Sequence, residues 1–271
     1  MSTPLVAARR SAPQILRSQL DSALLPLGST LLLCGLWEVL ARTVLPPQVR
    51  PFSSTVAWLV TNARSDELWG AVGQTLTHWA AGLAVALAAG SVVGLATGSS
   101  RWVDNLLSGL FEFVRPIPAI VYLPLMLLVM GATSQVAITL AASGAFWPIL
   151  YQVHYGVGSI DPVARDTARV FGLSRAQRLR SVSIPSVLPF LATGVRIASS
   201  IALLGSVVME MLGGVPGLGS MLARDSSNGL YDAMYGILLA TGLLGLALNA
   251  VFARTERTLL RWHPGYRPVE A

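Results

Sequence analysis

Lysine is missing from this chain: all 19 basic residues are arginine. Without it there can be no phosphate-loop lysine, no Schiff-base nucleophile and no kinase-type lysine, so the chain cannot itself be a phosphate-loop ATPase. Cysteine is nearly missing as well. Cys34 stands alone, which excludes an intrachain disulfide and a cysteine-rich metal site and leaves it as a small apolar packing residue. The only histidines are His78, His154 and His263. No His-Glu-x-x-His pair and no Gly-x-Ser-x-Gly elbow occurs, so no catalytic constellation can be assembled and the chain reads as a non-catalytic subunit. Charge is scarce too, at 12% of residues against 53% hydrophobic.

A mean hydropathy of +0.62 over such a length is too apolar for a soluble domain, and the reading is an all-α polytopic membrane protein. The net charge of +6 could point to nucleic acid, but the arginines sit mostly in loops between apolar runs, where they orient a protein in a bilayer. Nucleic acid is therefore not an expected partner, and membrane lipid is.

Six spans are expected, with a domain from 22 to 258 between a cytoplasmic tail at 1–21 and another at 259–271. The first runs from about Ser22 to Val44 and is read as uncleaved, because no small-residue cleavage site follows it. Phe52 and Trp58 then mark a short helix at the outer interface. The second span, about Leu68 to Thr97, carries Gly90, Gly94 and Gly98 on one face for close helix packing. Pro116, Pro118 and Pro124 predict kinks in the third, which ends near Met130. The fourth covers about Val136 to Tyr155, the fifth about Ser186 to Leu212 and the sixth about Met234 to Phe252. Gly213-Gly214-Val215-Pro216-Gly217-Leu218-Gly219 follows the fifth. It has the glycines of a phosphate loop without the lysine or the strand, and is expected to be an irregular or re-entrant loop. Thirteen arginines fall on the side of the two tails and the loop near 156–184, and four on the other. The positive-inside rule therefore places both termini in the cytoplasm of a bacterial inner or plasma membrane.

That loop is the polar passage around which the rest is arranged. Asp161 reads as an N-cap with Pro162 at the first helical position, and Gly172 as a left-handed stop, which predicts a helix of about three turns. Val163, Thr167, Val170 and Phe171 share one face of it, away from Arg165, Asp166 and Arg169. Ser174 and Gln177 form a candidate capping box for a second helix, and Pro185 and Pro189 punctuate the start of the fifth span. A short amphipathic helix just outside a bilayer is a docking surface or a topology determinant.

Asp166-Thr167-Ala168, Gly172 and Val182-Ser183-Ile184-Pro185 resemble the EAA loop of ABC-importer permeases, with Asp for Glu and Thr for the first Ala. Trp37-Glu38, Arg115-Pro116-Ile117-Pro118, Phe146-Trp147-Pro148-Ile149, Gly194-Val195-Arg196-Ile197-Ala198 and Glu210-Met211-Leu212-Gly213 are similar to the nitrate, sulfonate and taurine branch. The resemblance implies a type I importer permease acting as a homodimer, with a pair of cytoplasmic ABC ATPase subunits that bind ATP and magnesium in trans and an extracytoplasmic solute-binding protein. This chain would hold no cofactor or metal. The resemblance further implies ATPase docking through Asp161, Pro162, Val163, Asp166, Thr167, Ala168, Phe171, Gly172 and Pro185, and a solute such as an aliphatic sulfonate, taurine, nitrate, bicarbonate or a vitamin precursor. Glu38, Arg196 and Glu210 lie in apolar runs, where a charge costs a few kcal/mol unless paired or hydrated, and are candidates for the translocation path. An ion-coupled secondary transporter is the competing reading.

Overall fold

The computed structural model describes residues 12–262; residues 1–11 and 263–271 of the expected tails fall outside that range, while 12–21 are helical and continuous with the first span. Every regular element within it is helical: α1 (Ala12–Thr43), α2 (Phe52–Asn62), α3 (Asp66–Ser99), α4 (Arg101–Val114), α5 (Leu123–Met130), α6 (Ser134–Gly158), α7 (Pro162–Val170), α8 (Arg175–Arg178), α9 (Ile184–Gly213), α10 (Leu218–Ser227) and α11 (Tyr231–Leu259). Among the described residues five helices are long and apolar enough to cross a membrane, and the bent pair α4 and α5 brings the number to six if it crosses as one span.

Helices α3, α6 and α9 form the centre. Lipid is as apolar as leucine, so such helices gain by close approach of small residues rather than by burying large ones. Ala137, Ala141 and Ala145 of α6 and Ala198 and Ala202 of α9 are accordingly fully buried. On α3 the glycine stripe faces α6: a methyl group at Gly90 would press on Ile149, at Gly94 on Val153 and at Gly98 on Val157. Around the outer end of this core, Leu218 and Met221 of α10 pack with Leu68 of α3 and Ile237 of α11. Helix α1 stands apart, with only 6% of its apolar window buried. It meets the rest near its Thr43 end, through Trp37 against Phe52 and Tyr235.

Three boundaries differ from the sequence expectation. The third span breaks rather than kinks, bending 80° between α4 and the segment from Ala119 to Met130. Pro116 and Pro118 fall within three residues of each other and neither can donate a hydrogen bond, so helix cannot continue through both. Pro124 causes no kink, because it sits in the first turn of α5, where the missing N–H costs nothing. The fifth span starts earlier than expected, as a helical stretch from Ala176 to Gly213. A π-turn at Leu179–Ser183 joins α8 to α9, the Ile184 amide donating to the Leu179 carbonyl. The wider turn makes room for the Pro185 ring, so that proline ends nothing. The sixth span runs on to Leu259, past the Phe252 expected for its end.

Candidate functional site

Local chemistry builds α7 at both ends. Asp161 caps it, its carboxylate accepting from the Val163 amide at 2.8 Å, and Pro162 occupies the first turn. At the other end the Gly172 amide donates to the Arg169 carbonyl at 2.9 Å and the Leu173 amide to the Ala168 carbonyl at 3.1 Å. That pair of bonds is a Schellman closure and needs a left-handed residue at Gly172, whose φ is +70°. Ser174 and Gln177 form the reciprocal capping box, at 2.8 and 3.3 Å.

The face of α7 is uncovered. Val163, Val170 and Phe171 are 70%, 86% and 78% exposed, and Thr167 is exposed beside them, while Ala168 is buried. Among the described residues Asp166 pairs with Arg169, one turn on, at 3.2 Å. Behind the helix a cleft of about 880 Å³ runs between α3, α6 and α9, with Arg165, Arg169 and Arg178 at its rim and Leu95, Val157 and Val187 in its wall. Pro185 lies in the first turn of α9, beyond α7.

The three candidates inside the apolar runs occupy different environments. Glu38 joins α1 to α2: its carboxylate accepts from Arg42 Nε at 2.6 Å, the Ser53 amide at 2.9 Å and the Ser53 hydroxyl at 2.8 Å. Arg196 of α9 points at Glu256 of α11, 3.5 Å away, and keeps 42% of its side chain exposed. Glu210 has no exposed surface at all. Its carboxylate accepts from Thr75 Oγ1 at 2.8 Å and the Gly219 amide at 3.0 Å, and lies 2.9 Å from His78 Nδ1. Thr75 Oγ1 in turn accepts from the Leu218 amide at 2.9 Å. Glu210 thus ties α3, α9 and the start of α10 together, and the Gly213–Gly217 turn closes over it. A Cβ at Gly217 would collide with this carboxylate, and one at Gly219 with the Val207 carbonyl and the Glu210 Cβ.

His78, Thr75 and Glu256 are the partners that sequence reasoning did not supply. A lone histidine and threonine one turn apart in an apolar run, with an unpaired glutamate in another, is the signal that could have found the first two. Glu256 was hidden among Arg254 and Arg257, which read as tail rather than helix.

Residues 86–261 match the family described as binding-protein-dependent transport system inner membrane component. The chain is 28% identical to the bicarbonate transport system permease protein CmpB of Synechococcus elongatus over 262 residues, 90% of this chain and 92% of that protein. It is 28% identical to the taurine transport system permease protein TauC of Escherichia coli over 246 residues, 88% and 90% of the two chains. In fold it is similar to the inward-facing MetNI methionine ABC transporter, with a TM-score of 0.61 and 21% identity, over 74% of this chain and 96% of that one. A polytopic helical chain with a short helix capped at both ends in the loop that precedes α9, this protein belongs to the binding-protein-dependent transport system inner membrane components, with the fold of an ABC-importer permease.

Proposed function

We propose that this chain forms the translocation pathway of an ATP-driven importer for a small anion. Two copies pair across the membrane. Each presents α7 to a separate cytoplasmic ABC ATPase that binds ATP and magnesium, and an extracytoplasmic binding protein delivers the solute. The observation that carries this reading is the exposed apolar face of Val163, Val170 and Phe171 on a helix capped at both ends. Three large apolar groups held in a fixed array outside the spans are a surface awaiting another protein. The uncovered length of α1 supports the pairing of two copies, since most of its apolar surface is left open by the described residues. The solute class rests on the bicarbonate and taurine relatives, and nitrate and other sulfonates belong to the same chemical group.

In this mechanism ATP binding closes the ATPase pair, α7 moves with the subunit it grips, and the spans on either side of the loop change the side to which the pathway opens. The test is reconstitution in proteoliposomes with the ATPase and binding protein. ATP-dependent uptake of labelled bicarbonate, nitrate or taurine is expected. Uptake that ignores ATP and follows the proton gradient would replace this reading with ion-coupled transport.

A further inference from the structure

Irregular backbone inside a membrane domain is tolerated where it lies against protein or lines a watered path, and a broken span is a structural pointer to such a path. Residues 115–118 are such a stretch, at the 80° bend between α4 and the short helical turns that follow. Arg115 stands at the first position of the break. Its guanidinium carbon lies 4.6 Å from the centroid of the Tyr151 ring, about two turns in from the Gly158 end of α6. Tyr151 is one rung of an aromatic wall on α6, stacked on Trp147 at 6.4 Å and on Tyr155 at 6.2 Å, with Phe111 edge-on to Trp147 at 5.7 Å. Cation and wall face each other across the α4 and α6 boundary.

Arg115 differs from Arg196 in one decisive respect. Arg196 has Glu256 at 3.5 Å, whereas Arg115 is exposed and has no carboxylate within 4 Å among the described residues. The Tyr151 ring holds the cation in place without neutralising it, so its N–H donors stay available. One turn back, Glu112 lines with Asp104 and His154 a narrower cleft of about 110 Å³ between the same two helices. Glu112, three residues from Arg115 on the same helix, tempers its attraction for an anion, and a solute that must leave again requires a weak hold.

We propose that Arg115, steadied on Tyr151, contacts the solute in the loop-side half of the pathway and that its ligand is a small oxyanion. A guanidinium presents paired donors in one plane, which suits the oxygens of nitrate, bicarbonate, a carboxylate or a sulfonate. This assignment rests on the importer reading above and adds the residue and the chemical group it recognises.

The test uses the full complex in proteoliposomes, with labelled bicarbonate, nitrate and taurine as probes and ATP hydrolysis measured in parallel. The quantity to follow is solute moved per ATP hydrolysed. Arg115→Gln is expected to lower it about tenfold or more for the probe that the parent imports, the loss of a hydrogen bond to a charged group. Arg115→Lys, which keeps the charge but not the fork, is expected between the two. A ratio equal to that of the parent in Arg115→Gln overturns the assignment, whether uptake and hydrolysis are both normal or fall together, and leaves the importer reading intact. A parent complex that imports none of the probes with ATP removes the importer reading and this assignment with it.

Discussion

Arg196 Nε lies 3.5 Å from Glu256 Oε2, so the cation of the fifth span is matched by a carboxylate near the end of the last one. Glu256 is almost buried and also accepts from the Thr193 hydroxyl at 3.2 Å. The pair is a brace between α9 and α11. Because Arg196 is 42% exposed, screening limits what it contributes, and a double-mutant cycle of Arg196→Gln and Glu256→Gln is expected to give a coupling on the order of 1 kcal/mol. The measurement is thermal unfolding of the purified protein. Additive losses would show that the two side chains do not stabilise each other.

Glu210 offers a larger effect. Its carboxylate serves Thr75, His78 and Gly219 with no exposure to solvent, so Glu210→Ala leaves buried donors without an acceptor. Removing one member of such a set costs roughly 3–5 kcal/mol. Hydrogen exchange in residues 214–219 is expected to accelerate strongly in this variant while exchange in α6 stays slow. Unchanged protection of that turn would mean the carboxylate does not hold it.

Gly172 separates backbone strain from packing. A side chain there would meet nothing within 4 Å, yet φ is +70°. Any loss on substitution therefore comes from the dihedral alone. Gly172→Val is expected to destabilise the end of α7 by about 1–2 kcal/mol and Gly172→Asn by less, with the membrane spans intact. ATP-driven uptake should follow the same order. Equal uptake by the two variants and the parent would show that the loop geometry is immaterial to transport.

Phe171→Asp tests the docking surface itself. The ring is 78% exposed, so the substitution costs the isolated chain little. An apolar groove on the ATPase would have to desolvate the new charge, which costs several kcal/mol without a partner. Loss of ATPase co-purification is expected, with normal insertion into the membrane. A variant that keeps its ATPase and imports at the parental rate would refute docking through this face.

The parts legible in the sequence were those whose cause is local. Asp161 with Pro162, Gly172, and Ser174 with Gln177 each act within one turn of chain, and the caps formed as their residue types dictate. The apolar runs were legible for the same reason. What could not be read was the matching of polar groups across distance: His78 and Thr75 lie 132 and 135 residues from Glu210. No periodicity within either run links them. The π-turn before Pro185 was equally hidden, since proline signals a stop unless the preceding turn widens, and that depends on the backbone rather than on residue type.

That widened turn also bears on how the two ends of this helix communicate. Ala176–Gly213 is a continuous helical stretch of about 57 Å, with the arginine-rich loop at one end and the Glu210 tether at the other. Its two places to bend, the π-turn at Leu179–Ser183 and Pro189, both lie near the loop end, so the length from there to Gly213 moves as one piece. On the importer reading proposed above, a tilt imposed on that piece would carry the Gly213–Gly217 turn with it. Opening at both ends together would then be opposed by the stiffness of one helix, without a separate lock at each side.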